Sequence, residues 1–269
     1  MAVSAPANCK CPSGGRNLVI CIDGTSNQFG DKNTNVVELY SKIEKTKDSN
    51  QLTYYNSGIG TYAKPSWKSV KYLLQVIDNS VDLAIAWNFE KIIIGAYRWL
   101  SDNYEEGDRI FLFGKPKLER RIFYCLRRSN ILGFSRGAYQ VRALAGMIAR
   151  VGLIYKGNEE QIPFAYEVYA THTENFATNL ATNFKSTFSR ANVQVHFVGV
   201  WDTVSSVGVI RGKSLPLTDS AEHICFFRHA LALDERRVKF LPEYVHGGVC
   251  EKSPEQPSKQ ASTFYFQVH

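Results

Sequence analysis

The sequence lacks the features of a membrane-spanning or secreted protein. No apolar run approaches the roughly 20 residues that a helix needs to cross a bilayer. The N-terminus, Met1 to Pro6, has neither the basic start nor the long apolar run of a signal peptide. Cysteine is scarce, with 6 in 269 residues, and only Cys9 and Cys11 lie close together, without the second pair that a zinc site needs. We therefore expect a cytoplasmic protein with reduced thiols, no metal and no other cofactor.

Excess charge of one sign is confined to one short segment. The net charge is +7, but the segment Lys115 to Leu132 holds six basic residues and one acidic residue, so the rest of the chain carries only +2. A basic excess in one segment is weak evidence for a nucleic-acid-binding surface, and we expect no nucleic-acid partner. Hydrophobic residues at 44% and charged residues at 21% are instead typical of a soluble globular protein.

Strand and helix patterns alternate along the chain. The apolar patterns predict strands and helices in turn, at 17–23 (strand), 35–45 (helix), 51–56 (strand), 81–101 (helix), 109–113 (strand), 138–151 (helix) and 193–201 (strand). Such alternation favours the α/β class, with a mainly parallel sheet covered by helices on both faces in a three-layer αβα sandwich. We expect a disordered tail over 1–15, one domain over 16–269 and a loop over 250–261.

The residues Gly133-Phe134-Ser135-Arg136-Gly137 match the G-x-S-x-G pattern of a nucleophile elbow. This sharp strand-to-helix turn needs glycines because side chains beside the serine would clash with the neighbouring strand and helix. An apolar stretch precedes the pattern and an amphipathic helix follows it, as the elbow requires. We predict that Ser135 is a catalytic nucleophile; the alternative is a structural serine in a chance match.

Two further groups fit the same chemistry. The backbone N–H of Arg136 would be one oxyanion donor, and a second would come from the turn after an early strand, at Gly24 or Thr25. The alternative is that Asp23-Gly24 is only a tight turn. Asp202 follows a strand at the end where catalytic groups of parallel sheets gather, and the order serine then aspartate is that of α/β-hydrolases. An N-cap role for Asp202 stays open.

No histidine is plainly placed to be the general base. His196 lies inside a predicted strand, and His223 and His229 lie on a predicted helix. His246 precedes Gly247-Gly248 and is the best internal candidate, while His269 is the last residue. Most lone histidines are structural or surface groups.

Several groups of residues together resemble a known family, the type VI secretion lipase-effector-like catalytic domains of bacteria and fungi. The resemblance covers nearly the whole chain. The matching groups are Ile22–Thr25 with Asn27, Gly58–Thr61, Gly107–Gly114, Phe134–Tyr139 with Arg142–Gly146, Gly199–Val204 and His229–Arg237.

This resemblance implies an α/β-hydrolase fold and a Ser-Asp-His triad in which Ser135 is the nucleophile and Asp202 orients the histidine. It also implies hydrolysis of carboxylic or phospholipid esters, hence a lipid substrate and peripheral contact with a membrane. The family's histidine would lie just beyond His269, so the resemblance implies a fold truncated at its C-terminus.

The chain departs from the family pattern at one more place. In the family the strand runs directly into Phe-Ser-Arg-Gly, whereas here nineteen residues, Lys115 to Gly133, separate Gly114 from Phe134. This atypical insert, which a retained intron would produce, displaces the serine unless residues 130–132 take over as the strand end. Two hypotheses follow: a working ester hydrolase with a substitute base, or a catalytically inactive fragment that lacks the triad histidine.

Overall fold

The computed structural model describes residues 14–24, 33–46, 49–57, 78–114, 137–171, 174–190, 192–201, 215–232 and 261–266. Within the helices and strands, side chains are not described at 78–88, 174–177, 231–232 and 261–266. Residues 1–13 of the expected tail over 1–15, the insert over 115–133 and most of the expected loop over 250–261 lie outside the described residues.

The centre of the fold is a six-stranded sheet in the order β2-β1-β3-β6-β7-β8, in which every pair of neighbours is parallel. Its strands are β1 (Asn17–Ile22), β2 (Gln51–Asn56), β3 (Arg109–Gly114), β6 (Val195–Trp201), β7 (Ile224–Ala232) and β8 (Ala261–Phe266). Two short strands, β4 (Leu153–Ile154) and β5 (Ser189–Arg190), form a separate antiparallel pair. The predicted parallel sheet is therefore confirmed.

Helices connect the strands, and the first three lie at the predicted positions, while the two between 162 and 188 were not predicted. They are α1 (Asn35–Lys42), α2 (Asp78–Asn103), α3 (Gly137–Val151), α4 (Ile162–Ala170) and α5 (Glu174–Phe188), with a 3-10 turn at Glu159–Gln161. Thr34 begins α1 as its N-cap, since its hydroxyl accepts a hydrogen bond from the Val37 N–H. Gly152, with a φ of 77°, ends α3 in the left-handed conformation that glycine adopts without strain.

Both faces of the sheet are covered, as alternation of side chains along β1 shows. Leu18, Ile20 and Ile22 pack on one face with α2 and α3, while Val19 and Cys21 pack on the other face with α1. The expected three-layer αβα arrangement is therefore present. The helix α3 lies at the centre of the larger layer, because nearly all of its side chains are buried.

One element differs from the sequence-based expectation. The structure places His229 in β7 and His223 in the turn before it, so the predicted helix around these two histidines is wrong. The run His229-Ala-Leu-Ala has helical propensity, but β7 pairs with β6 on one side and β8 on the other. Tertiary pairing of a buried segment outweighs a propensity difference of a few tenths of a kcal/mol per residue.

Candidate active site

The strand order places a ligand-binding edge between β1 and β3. From β1 the chain crosses to β2 on one side, and from β2 it returns to β3 on the other side of β1. In open parallel sheets such a reversal opens a crevice at the carboxyl ends of the two strands, and ligands bind there. The sequence-predicted oxyanion turn follows β1, and the predicted nucleophile follows β3. The ends of β1 and β3 therefore lie beside the reversal point.

The strand ends lie in register. Ile22 of β1 pairs with Gly114 of β3, and Gly114 pairs with Val200 of β6. Because neighbouring strands lie roughly 4.8 Å apart, these three strand ends fall within about 10 Å of one another. The structure thus brings together the starting points of three loops, namely those that carry the oxyanion turn, the nucleophile and the catalytic aspartate predicted from the sequence.

Of the predicted site residues, Gly24 is described and the others lie outside the described residues. These are Thr25, Ser135, Arg136 and Asp202. Two of them are tied by the chain to described elements: Ser135 comes two residues before α3 begins, and Asp202 directly follows the last residue of β6. The base candidates His246 and His269 also lie outside the described residues.

The turn after β1 is organised by the buried carboxylate of Asp23. Its Oδ1 accepts the Gly24 N–H at 2.7 Å, and its Oδ2 accepts the hydroxyls of Thr34 at 2.8 Å and Tyr55 at 3.1 Å. Asp23 is 0% exposed, so these hydrogen bonds compensate for its desolvation. The Gly24 N–H, one of the two candidate oxyanion donors, thus already donates to Asp23.

The end of β3 touches the beginning of α3. A Cβ atom at Gly114 would lie 2.7 Å from the carbonyl carbon of Gly137 and 2.8 Å from the Cα atom of Ala138. Real Cβ atoms essentially never approach other atoms within 3.0 Å, so only glycine fits at this position. Such a close approach of strand and helix is what a nucleophile elbow requires of the glycines that flank it.

Tyr139, in the first turn of α3, holds the chain segment that returns after Asp202. The tyrosine is fully buried, and its hydroxyl oxygen accepts the N–H of Leu215 at 2.8 Å. Leu215 is the first described residue after β6. Tyr139 therefore ties the first described residue after β6 to the first turn of α3.

His229 lies in the row of residues that forms this edge, because it pairs with Val200, whereas His196 and His223 lie at the amino ends of β6 and β7. His229 is 1% exposed inside β7, and burial, followed by the nearby charge of Arg142, lowers its pKa to about 4. Burial is also the main reason that the pKa of His223 is lowered to about 4, opposed by Glu222 and assisted by Arg142. The ring of His196 lies 5.2 Å from the rings of Phe111 and Phe226. His196 and His223 therefore lie at the other end of their strands, and His229 lies at the edge of the candidate site but is buried within the sheet.

Other chemistry is poorly supported at this edge. Burial raises the pKa of the Cys21 thiol to about 12, which keeps it protonated and unreactive. Among the described residues there is no cluster of three histidine, cysteine or acidic side chains that would hold a metal ion. Among the described helices, none is long and apolar enough to cross a membrane.

A family profile described as "T6SS, Phospholipase effector Tle1-like, catalytic domain" matches residues 16–116 and 128–267. The chain belongs to this family. The Tle1-like profile covers β1 to β8 and every predicted site residue except His269. It thereby groups the chain with catalytic domains of phospholipase-type hydrolases. The profile passes over residues 117–127, which fall inside the atypical insert.

One curated relative of this Tle1-like domain is a fungal protein. The uncharacterized protein YEL023C of Saccharomyces cerevisiae is 36% identical over 239 residues, which cover 85% of this chain and 32% of the yeast protein. The chain thus spans about a third of the length of the curated relative it matches. No solved structure matches it.

Three residues at this edge have structural roles that the sequence alone does not indicate, although each falls in a segment that resembles the family. They are Asp23, which holds the turn after β1, Gly114, which contacts α3, and Tyr139, which fixes the returning loop. A polar residue directly after an apolar strand was a usable signal for Asp23. Nothing in the local pattern indicates that Tyr139 binds a backbone N–H 76 residues away.

Proposed function

We propose that this chain is a serine hydrolase of the α/β-hydrolase type that cleaves carboxylic or phospholipid esters through an acyl-enzyme on Ser135. The observation that carries the proposal is the register of Ile22, Gly114 and Val200, which brings together the ends of the three strands after which the predicted site residues follow in the sequence. The close approach of Gly114 to Gly137 supports it further, because it is the packing that an elbow needs.

In the proposed reaction the Ser135 hydroxyl attacks the ester carbonyl while a histidine takes its proton. The oxyanion that forms receives hydrogen bonds from the Arg136 N–H and from the turn at Gly24 and Thr25, where Thr25 is the preferred donor. The fifteen-residue helix α3 begins two residues after Ser135, so the positive end of its dipole faces the developing charge. The histidine then protonates the leaving alcohol, and water hydrolyses the acyl-enzyme.

Asp202 is proposed to accept a hydrogen bond from the histidine and to stabilise its protonated form. The histidine itself comes from outside the described residues, with His246 and His269 as candidates within this chain. A phospholipid substrate lies in a membrane surface, so peripheral contact with lipid is part of the proposal. No nucleic-acid partner and no cofactor are part of it.

A second candidate function is that of a non-catalytic member of the family. It is favoured by the placement of the described histidines, since His196 and His223 lie at the amino ends of β6 and β7 and His229 is buried within β7. Loss of a triad histidine lowers turnover on the order of a millionfold while the oxyanion hole and the fold persist. Such a protein would bind esters and release almost no product.

Fluorophosphonate labelling of the full chain decides between the two. We expect a serine adduct that is lost in Ser135→Ala and reduced at least about a hundredfold in rate in Asp202→Asn, since the aspartate sets the histidine tautomer. Ser186→Ala, which changes an exposed serine of α5, is the matched control and should label like the natural chain. A folded sample that resists labelling and releases no alcohol from p-nitrophenyl butyrate would establish the non-catalytic alternative.

A further inference from the structure

We propose that Gly114, and not Gly133, is the strand glycine of the nucleophile turn, and that the nineteen residues from Lys115 to Gly133 are an insertion that the fold does not need. The part of this inference that concerns catalysis rests on the proposed function. The part that concerns the fold rests on the positions of Gly114 and Gly137 alone.

The first argument is the contact itself. A methyl group at Gly114 would meet the carbonyl carbon of Gly137 and the Cα of Ala138, both of them backbone atoms at 2.7 and 2.8 Å. Rotation of a side chain cannot relieve such an overlap, because neither partner is a side-chain atom. The last residue of β3 is thus packed directly on the first turn of α3, although 22 residues separate Gly114 from Gly137 in sequence.

The second argument is that the central place in the sheet is already filled. β3 is paired with β1 on one side and with β6 on the other, and both ladders continue to Gly114. The place between these two neighbours is therefore filled by β3 up to Gly114. An elbow at Ser135 must use the strand end that abuts α3, and that strand end is Gly114.

The third argument comes from the sequence around the insertion. Removal of Lys115 to Gly133 joins Gly114 to Phe134 and gives Gly-Phe-Ser-Arg-Gly, with three residues between two glycines that are already in contact. The family profile independently passes over residues 117–127. Glycine at both borders is also what results when a retained intron, beginning with GT and ending with AG, follows the first base of a glycine codon.

Three variants of the full chain test the inference: one that lacks residues 115–133, Gly114→Ala, and Gly133→Ala as the matched control. Urea unfolding followed by circular dichroism reports on the fold without reference to activity. Closing a loop of three residues in place of 22 favours the folded state, so the deletion should raise the folding equilibrium constant on the order of tenfold. The fluorophosphonate labelling rate reports separately on the turn.

We expect the deletion variant to fold with a higher urea midpoint and to label at least tenfold faster than the natural chain. Gly133→Ala should match the natural chain in both measurements, and Gly114→Ala should lower both. A deletion variant that fails to fold, or labelling that is lost in Gly133→Ala and kept in Gly114→Ala, would overturn the inference. A deletion variant that folds with a raised midpoint but does not label would uphold the dispensable insertion and refute the proposed hydrolase activity instead.

Discussion

The Thr34 hydroxyl donates a 2.8 Å hydrogen bond to the buried carboxylate of Asp23. Asp23 follows the last residue of β1, and Thr34 is the N-cap of α1, so this contact joins the end of the strand to the beginning of the next helix. The same carboxylate accepts the Gly24 N–H. The geometry of the candidate oxyanion turn therefore depends on where α1 begins.

Replacing Thr34 with valine tests this link. The Thr34→Val side chain has the same shape but cannot accept the Val37 N–H or donate to Asp23. We expect the free energy of unfolding to fall by about 2 kcal/mol, the combined effect of a lost N-cap and a buried hydrogen bond. Urea unfolding measures the change. Thr34→Ser keeps the hydroxyl and is the control; an equal loss in both variants would rule out the hydrogen bonds as the cause.

The ion pair of Arg16 and Asp108 should stabilise the start of the sheet. Asp108, whose side chain is 3% exposed, accepts hydrogen bonds from the Arg16 guanidinium at 2.8 and 3.2 Å and from the Arg16 and Glu105 backbone N–H groups. Asp108→Ala leaves these donors unsatisfied, and we expect a loss of about 3 kcal/mol in unfolding free energy.

Urea unfolding measures this loss, and Glu105→Ala is the matched control. Glu105 also lies 3.2 Å from the Arg16 guanidinium, but its side chain is 75% exposed. Exposed pairs contribute at most about 1 kcal/mol, so the control should change urea unfolding little. Comparable losses in Asp108→Ala and Glu105→Ala would show that burial does not set the strength of this pair.

Stability should fall in mild acid because of the buried histidines. The pKa of His229 is about 4 in the folded state, lowered by burial and then by Arg142, against about 6.5 in the unfolded chain. Between pH 6.5 and pH 4 the unfolded chain binds a proton on this imidazole and the folded protein does not. The contribution of His229 to the free energy of unfolding is therefore fully present above pH 6.5 and is lost as the pH falls toward 4.

His229→Gln isolates this contribution, since it removes one of the two described histidines that have a lowered pKa. Between pH 7.5 and pH 4.5 the variant should lose on the order of 2 kcal/mol less unfolding free energy than the natural chain, from a value of about 1.4 kcal/mol per pKa unit. His223, with a pKa also lowered to about 4, continues to titrate in the variant. Parallel pH profiles of the two proteins would contradict the prediction.

The buried hydroxyl of Tyr97 in α2 should contribute to the free energy of unfolding through two hydrogen bonds. It is fully buried, donates to the Gly152 carbonyl at 2.8 Å and accepts the Ile154 N–H at 3.0 Å. Tyr97→Phe leaves both backbone groups without this partner, which should cost about 2 kcal/mol in urea unfolding. Tyr155→Phe changes a residue that is 52% exposed and should have little effect. An unchanged free energy of unfolding in Tyr97→Phe would mean that other groups replace the hydroxyl as hydrogen-bond partner.

Much of the fold follows from local sequence patterns. The apolar run from Asn17 to Ile22 and the helical spacing from Gly137 to Val151 predict the elements that the structure contains, because periodic burial is a property of a few adjacent residues. Their alternation also predicts the parallel sheet. The same patterns predicted a helix at His229, since they cannot register the neighbouring strands β6 and β8.

The candidate site was predictable only in part, because its groups come from distant segments. The sequence predicts Ser135 from the G-x-S-x-G pattern and Asp202 from its place after an apolar strand. Both stay predictions, because these residues lie outside the described ones, although β3 and β6 lie side by side. The sequence did not indicate that Asp23 binds Thr34 and Tyr55, which are 11 and 32 residues away. These contacts require the strand order to be known.

The sequence by itself determined the α/β class, the positions of the main strands and helices, and the serine pattern before α3. Only the tertiary structure decided that β1 lies between β2 and β3, that His229 is a strand residue, and that Gly114 packs on Gly137. The physical reason is the range of the interactions. Propensity and periodicity act between neighbours in the chain, whereas strand order and backbone close packing are set by burial of surfaces that the chain brings together from far apart.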